Sequence, residues 1–249
     1  MKVIVCVSLV PDSTTKVKIA QDGKSIDESG VQFILNPYDE FAVEEAVSLK
    51  EKLNAETLAV TVGTDKATEA VKKAFQMGIE NGVLIKTDNE IVDTYSVAKN
   101  LADFINEQKP DLVLLGKQSI DFDSSALPSM LSELTGIPSV NVVVKLTIGD
   151  NKVTAEKEIE GGQEIISTTL PVIIGTQKGI NTPRYPNLKS IMAAKKKNVE
   201  TRHSTYNENA TEIIKMELPP IKGKGKILTD GANSVPELVK LLREEAKVI

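Results

Sequence analysis

Five short apolar runs, four of them spaced by helical or turn-rich stretches, limit what this chain can fold into. They are residues 3–7 (VIVCV), 58–62 (LAVTV), 82–85 (GVLI), 111–115 (DLVLL) and 171–175 (PVIIG). Each is apolar at consecutive positions and most are rich in β-branched residues. That is the pattern of strands covered on both faces of a parallel sheet. Between the first four lie helical patterns. Asn36 is a candidate cap, Pro37 fits the first helical position, and Asp39 and Glu40 suit the helix dipole. Ala42, Ala46, Leu49 and Leu53, with Val43 and Val47, form that helix's apolar face. Thr64 or Asp65 caps a second helix running to Met77, and residues 95–105 form a third. The order β-α-β-α-β-α-β with short loops predicts an α/β fold, a doubly wound and mostly parallel sheet with right-handed crossovers.

The fourth run ends in a polar loop: Gly116, Lys117, Gln118, Ser119, Ile120, Asp121, Phe122, Asp123, Ser124, Ser125. A helix follows, with Ser124 or Ser125 as its expected cap and Pro128 in its first turn. Ligands of open α/β sheets sit beyond the carboxyl ends of the strands, and free amides at a helix start suit phosphate. This loop is therefore the candidate adenine-nucleotide site. Asp121 and Asp123 would repel phosphate, so they are assigned to ribose hydroxyls, the adenine amino group or helix capping. An ordinary βα loop with a capped helix has the same composition, and on the loop alone the two readings are equally open.

After residue 138 the texture changes. Residues 140–148, 152–159 and 164–169 are β-rich, separated by Gly149-Asp150-Asn151 and Gly161-Gly162, and predict a small antiparallel meander. Residues 17–20 and 31–34 flank Asp22-Gly23 and suggest a hairpin-like excursion. From Thr176 the chain is loop-like up to about Leu188. A short helix over 188–197 then ends in Lys195-Lys196-Lys197, which reads as a solvated helix end. Leu188, Ile191 and Met192 are either core residues or exposed anchors. Residues 207–249 hold few apolar residues and a final helix over 235–248. They form an extended arm that must pack on the main domain, residues 1–206, or on a partner.

Several functions are excluded by composition. The 249 residues carry a net charge of −5, so no basic field recruits nucleic acid. The single cysteine, Cys6, excludes an internal disulfide and a cysteine metal cluster, and reads as a small core thiol. No run is long enough to span a bilayer, so direct membrane insertion is not expected. The start, MKVIVCVSLV, lacks a small-residue cleavage pattern, so a cytoplasmic location is expected. His203 is the one histidine and reads as an incidental surface residue. With no Ser/His/Asp grouping, P-loop or zinc spacing, the chain is not expected to be an enzyme. An ATP-using protein of the same superfold would need a glycine-rich phosphate loop, and no glycine lies near Gly116. A purely structural interaction protein is the third class considered.

Four separated blocks resemble, in order, the β subunit of electron-transfer flavoprotein. They are NPYDEFAVEEAVSLKE (36–51), DLVLLGKQSIDFD (111–123), EIEGGQEIISTTLPVII (158–174) and PRYPNLKSIMAAKKK (183–197). The resemblance covers essentially the whole chain. It implies a Rossmann-like sheet similar to the adenine-nucleotide α-hydrolases, without catalysis. It also implies a structural AMP, and an α subunit that holds most of the redox FAD. Position by position, the nucleotide contacts it implies are Cys6, Asn36, Pro37, Tyr38, Asp39, Val62 and residues 116 to 127, including Ala126 and Leu127. Tyr38 occupies a position that commonly faces the flavin. Bifurcating relatives hold a second FAD in place of AMP and tend to have a small residue between the two loop aspartates; Phe122 points to AMP. The implied docking segment for acyl-CoA and related dehydrogenases comprises Arg184, Tyr185, Leu188, Ile191, Met192, Lys195, Lys196 and Lys197, with Leu188 as its anchor. Electrons would pass on to a quinone oxidoreductase, and the tail would clasp the α subunit.

Overall fold

A computed structural model describes every residue except Val92, Asp150, Lys222 and Lys224. The first apolar run forms strand β1 (Lys2–Cys6). A short antiparallel pair comes next, β2 (Leu9–Pro11) with β3 (Phe33–Leu35). Helix α1 (Pro37–Leu53) leads on to β4 (Glu56–Gly63), α2 (Thr68–Met77), β5 (Asn81–Lys86), α3 (Thr94–Gln108), β6 (Leu112–Gly116) and α4 (Leu127–Thr135). Then β7 (Ser139–Gly149), β8 (Lys152–Ile159), β9 (Gly162–Thr169), β10 (Val172–Thr176), α5 (Leu188–Ala194) and β11 (Glu200–His203) complete the sheet.

The nine-stranded sheet has the order β11-β5-β4-β1-β6-β10-β7-β8-β9. Every pair from β11 to β7 is parallel; β7, β8 and β9 are antiparallel. The chain therefore winds from β1 through β4 to β5, then returns to the other side of β1 as β6. Strand alternation divides the core. Val3, Val5, Val7, Leu112, Leu114 and Ile174 pack on the apolar faces of α1 and α2. Ile4, Cys6, Val60, Val113, Leu115 and Ile173 pack on Leu101 and Ile105 of α3 and on Leu131 of α4. With both faces covered, the central strands have almost no exposed side chains, which is why their sequences lack polar alternation.

The chain separates into two compact units, Met1–Lys215 and Met216–Ile249. In the second, helix α6 (Val235–Lys240) runs into a π-helical turn, Leu241–Glu245, and none of the described residues is buried.

Some expectations change. Residues 17–20 do not pair with residues 31–34. β3 pairs instead with Leu9–Pro11, and the intervening loop keeps only a bridge between Ile19 and Ile26. The expected antiparallel meander is present as β7, β8 and β9, and it joins the main sheet where β7 lies beside β10. Of the turn Gly149-Asp150-Asn151, Asp150 lies outside the described residues. β11 was not expected. It is a charged four-residue strand, ETRH, at the sheet edge, where shortness and charge oppose further pairing. His203 sits there, exposed.

Candidate functional site

The return of the chain across β1 makes a topological switch point between the carboxyl ends of β1 and β6, the place where open α/β sheets form their ligand crevice. Asp39, in the first turn of α1, spans it. Its Oδ2 accepts from the backbone N–H and the Oγ of Ser8, both at 2.8 Å, just past β1. Its Oδ1 accepts from Asn36 Nδ2 at 2.9 Å and from the Gly116 N–H at 3.0 Å, at the end of β6. Burial pushes the Asp39 carboxyl up to about 6, while Asn36, Ser8 and Gly116 donate to it and pull it down.

Glycine at 116 is required by close approach. A Cβ there would lie 2.5 Å from Asp39 Oδ1, 2.6 Å from Tyr38 Cβ and 2.8 Å from the Tyr38 carbonyl carbon. The start of α1 thus lies directly on the end of β6. Thr176, ending β10, reinforces the contact: its Oγ1 donates at 3.1 Å to the Tyr38 carbonyl or the Leu115 carbonyl.

Asn36 does not cap α1 with its side chain. Its Nδ2 donates to Asp39 and to the Gln118 carbonyl, which ties the helix start to the polar loop. Its Oδ1 is buried with no partner. An acceptor held dry in this way is costly unless something donates to it.

Ser124 and Ser125 do not cap α4 as expected; the N-cap position is Ala126, without a side-chain bond. Ser124 Oγ instead meets Thr94 Oγ1 at 3.1 Å, at the start of α3. Ser125 Oγ donates to Gln118 Oε1 at 3.1 Å, and Gln118 Nε2 donates to Asp123. Asp123 takes a left-handed conformation, φ 56°, and Asp121 accepts from the Phe122 N–H at 2.8 Å, so neither aspartate caps α4. Gln118 therefore acts as a cross-brace within the loop. Asp121, Phe122, Asp123 and Ser125 are exposed; Lys117, Ser119, Ile120, Ala126 and Leu127 are half-buried. Lys117 Nζ lies 5.1 Å from the centre of the Tyr38 ring.

The structure thus brings Asn36, Tyr38, Asp39, Gly116 and Gln118 together. Cys6 and Val62 lie at or near the carboxyl ends of the neighbouring strands β1 and β4; Cys6 is buried and pairs with Val60. Pro37 is half-buried at the helix start. Ser8, Thr176 and Asn141 were missed. Asn141 Nδ2 donates to the Ser125 carbonyl at 3.4 Å from the β7 bulge. Ser8 and Thr176, each the first polar residue after an apolar run, carried a usable signal; Asn141 did not.

Arg184, Tyr185, Leu188, Ile191, Met192 and Lys195 to Lys197 lie on a separate surface, on and around α5. Asn187 caps that helix, accepting from the Ser190 N–H at 2.9 Å. Tyr185, Leu188 and Met192 are 97%, 83% and 58% exposed, which removes them from the core.

The fold defines a doubly wound α/β protein, and the candidate site lies at its topological switch point, where ligands of this class of sheet bind. The sequence profile of the electron transfer flavoprotein domain matches residues 24–206. The chain is 38% identical over 250 residues to an electron transfer flavoprotein subunit beta of Syntrophomonas wolfei, covering 100% of this chain and 98% of the relative. It is 40% identical over 245 residues to that of Bacillus subtilis, covering 94% and 95%. With the protein of Dictyostelium discoideum it shares 36% identity over 245 residues, covering 96% and 97%. The chain belongs to the electron transfer flavoprotein subunit beta family. Among the described residues, no helix is long and apolar enough to cross a membrane, and no cluster of three metal-ligating side chains exists.

Proposed function

We propose that this chain is the β subunit of a heterodimeric electron carrier and holds a structural AMP in the switch-point crevice. It takes electrons from dehydrogenases such as acyl-CoA dehydrogenases, and a quinone oxidoreductase receives them. The end-to-end likeness to chains named subunit beta supports the carrier role. For the nucleotide, the supporting observation is the buried, unpartnered Oδ1 of Asn36 beside the bridge made by Asp39. A nucleotide amino or hydroxyl group is the kind of donor such an acceptor needs.

The residues present fit an adenine nucleotide. Hydroxyls of Ser119, Ser124 and Ser125 and the free amides at the start of α4 suit phosphate. Asp121 and Asp123 can accept from ribose hydroxyls. Asp39 and Gly116 hold the crevice walls in register. The FAD, mostly held by the α subunit, supplies the redox chemistry when bound, and Tyr38 is this chain's candidate for facing it. This chain contributes position and insulation rather than a catalytic group. A dehydrogenase docks on the exposed face around α5, with Leu188 as anchor.

Native heterodimer, purified with its α subunit and denatured, should release one AMP per β chain, read by mass spectrometry. A second FAD in its place moves the chain to the bifurcating type. Release of ATP, or of no nucleotide from this chain, removes the reading.

A further inference from the structure

The segment from Arg184 to Lys197 is held at both ends and bare in the middle. At its start, Arg184 grips two carboxylates of α1. Its Nε and Nη2 donate to Glu44 at 2.9 Å, and its Nη1 and Nη2 donate to Glu51 at 2.6 and 3.0 Å. Its backbone N–H also donates to Glu44 at 3.0 Å. Just before it, Asn181 Nδ2 donates at 3.0 Å to the Phe41 carbonyl and to Glu45. At the far end, Ala194 is buried, and Lys197 Nζ donates at 2.6 Å to the Ile79 carbonyl and at 3.2 Å to that of Glu80. Between these ties stand Tyr185, Leu188 and Met192, all exposed.

Charge singles out the same segment. The chain is net negative, at −5, yet residues 184–197 contain no acidic residue. Lys189, Lys195 and Lys196 are exposed around the apolar side chains. An apolar anchor ringed by cations fits an apolar pocket with an acidic rim.

We propose that Arg184 is a positioning residue. It does not meet the partner; its double grip on Glu44 and Glu51 sets the segment in advance, so that Leu188 is presented to an electron-donating dehydrogenase with such a pocket. The proposal rests on the docking role of the face around α5 under the proposed function. Its physical basis is preorganisation: a segment fixed before encounter loses less conformational freedom on binding. The guanidinium fork suits this task because its fixed planar donors meet each of the two carboxylates with a pair of hydrogen bonds, a geometry that the three donors of an ammonium do not reproduce.

The test uses the heterodimer as varied electron acceptor for a purified acyl-CoA dehydrogenase and its acyl-CoA. Arg184→Gln alone leaves the nearly buried Glu44 without a counter-charge, so the working variant is Arg184→Gln with Glu44→Gln. Leu188→Ala is the reference and should raise KM about tenfold. If it does not, the docking reading itself falls. Given that rise, the Arg184/Glu44 double variant should also raise KM severalfold, with kcat and nucleotide content held. Combined with Leu188→Ala it should add nothing, because both act through the same anchor. An unchanged KM in the double variant, or effects that multiply, overturns the proposal. So does rescue by Arg184→Lys, since the charge without the fork would then suffice.

Discussion

The Gly116 N–H donates to Asp39 Oδ1 at 3.0 Å, and that same oxygen fills the space a side chain at Gly116 would need. One residue has to be glycine because the other has to be close. Gly116→Ala should therefore force α1 off the end of β6. A cost of about 1–3 kcal/mol is expected from such overpacking, with loss of bound nucleotide at lower temperature than in the wild type. Paired melting curves and nucleotide-release assays check this; an alanine variant as stable and as well loaded as wild type would contradict the crowding.

Asp39 also sets a pH dependence. Burial raises its folded value from the ordinary 3.8 to about 6. The native state thus holds this proton more tightly than the unfolded chain. The stabilisation is fully present below about pH 3.8 and is lost as pH rises through 6. Its limit is about 3 kcal/mol. Asp39→Asn removes the titration, so wild type should gain on the variant as pH falls from 7 to 4.5. Urea midpoints at both pH values measure the gap, and a gap that narrows instead would reverse the assignment.

Cys6 offers a probe of opening. It is 4% exposed on a central strand, and burial, with the Asp39 charge nearby, pushes its thiol well up. A thiol reagent should not react with native protein at pH 8 and should react fully in denaturant. Because β1 lies at the middle of the sheet, labelling should follow global unfolding. Rapid labelling under native conditions would show that β1 opens locally.

Asn100 anchors the chain just beyond β11. It is buried; its Nδ2 donates to the Tyr206 carbonyl at 2.7 Å, and its Oδ1 accepts from the N–H groups of Thr205 and Tyr206 at 3.1 and 3.2 Å. Asp93 Oδ2 accepts from the Ala210 N–H at 2.7 Å. Asn100→Ala should cost about 1–3 kcal/mol by leaving backbone groups unpaired, and should speed hydrogen exchange at residues 205 and 206 severalfold. Residues 205–211 of the wild-type chain should be protected without the α subunit, whereas residues 216–249 should gain protection only when it is added. Equal exchange in variant and wild type would remove Asn100 from this role.

The central strands were legible in the sequence because burial on both faces writes itself as consecutive apolar residues, as in VIVCV and DLVLL. The crevice was legible because it is a product of strand order: a polar loop after the fourth run had to lie near the first strand's end. Roles within it were less so. Asn36, Ser124 and Ser125 have the chemistry of caps, but distant partners took the side chains of Asn36 and Ser124, and Gln118 of the same loop took that of Ser125. Gln118 reaches Asn36 with its carbonyl and Asp123 and Ser125 with its side chain, and no local pattern encodes that. β11 is four residues, ETRH, with no apolar signal, and exists because β5 offers an edge. Arg184 was expected only as part of the docking segment; its grip on Glu44 and Glu51 went unread because both carboxylates are far away in sequence.

The second compact unit has a calorimetric consequence. Ile221 and Ile227 are 99% and 85% exposed there, and no described residue is buried. The heat capacity of unfolding tracks apolar area withdrawn from water. Met216–Ile249 should thus be nearly silent in a scan of the lone chain, which would melt with the heat capacity of its first unit. Whatever surface finally covers those isoleucines would announce itself as a negative heat-capacity change on association.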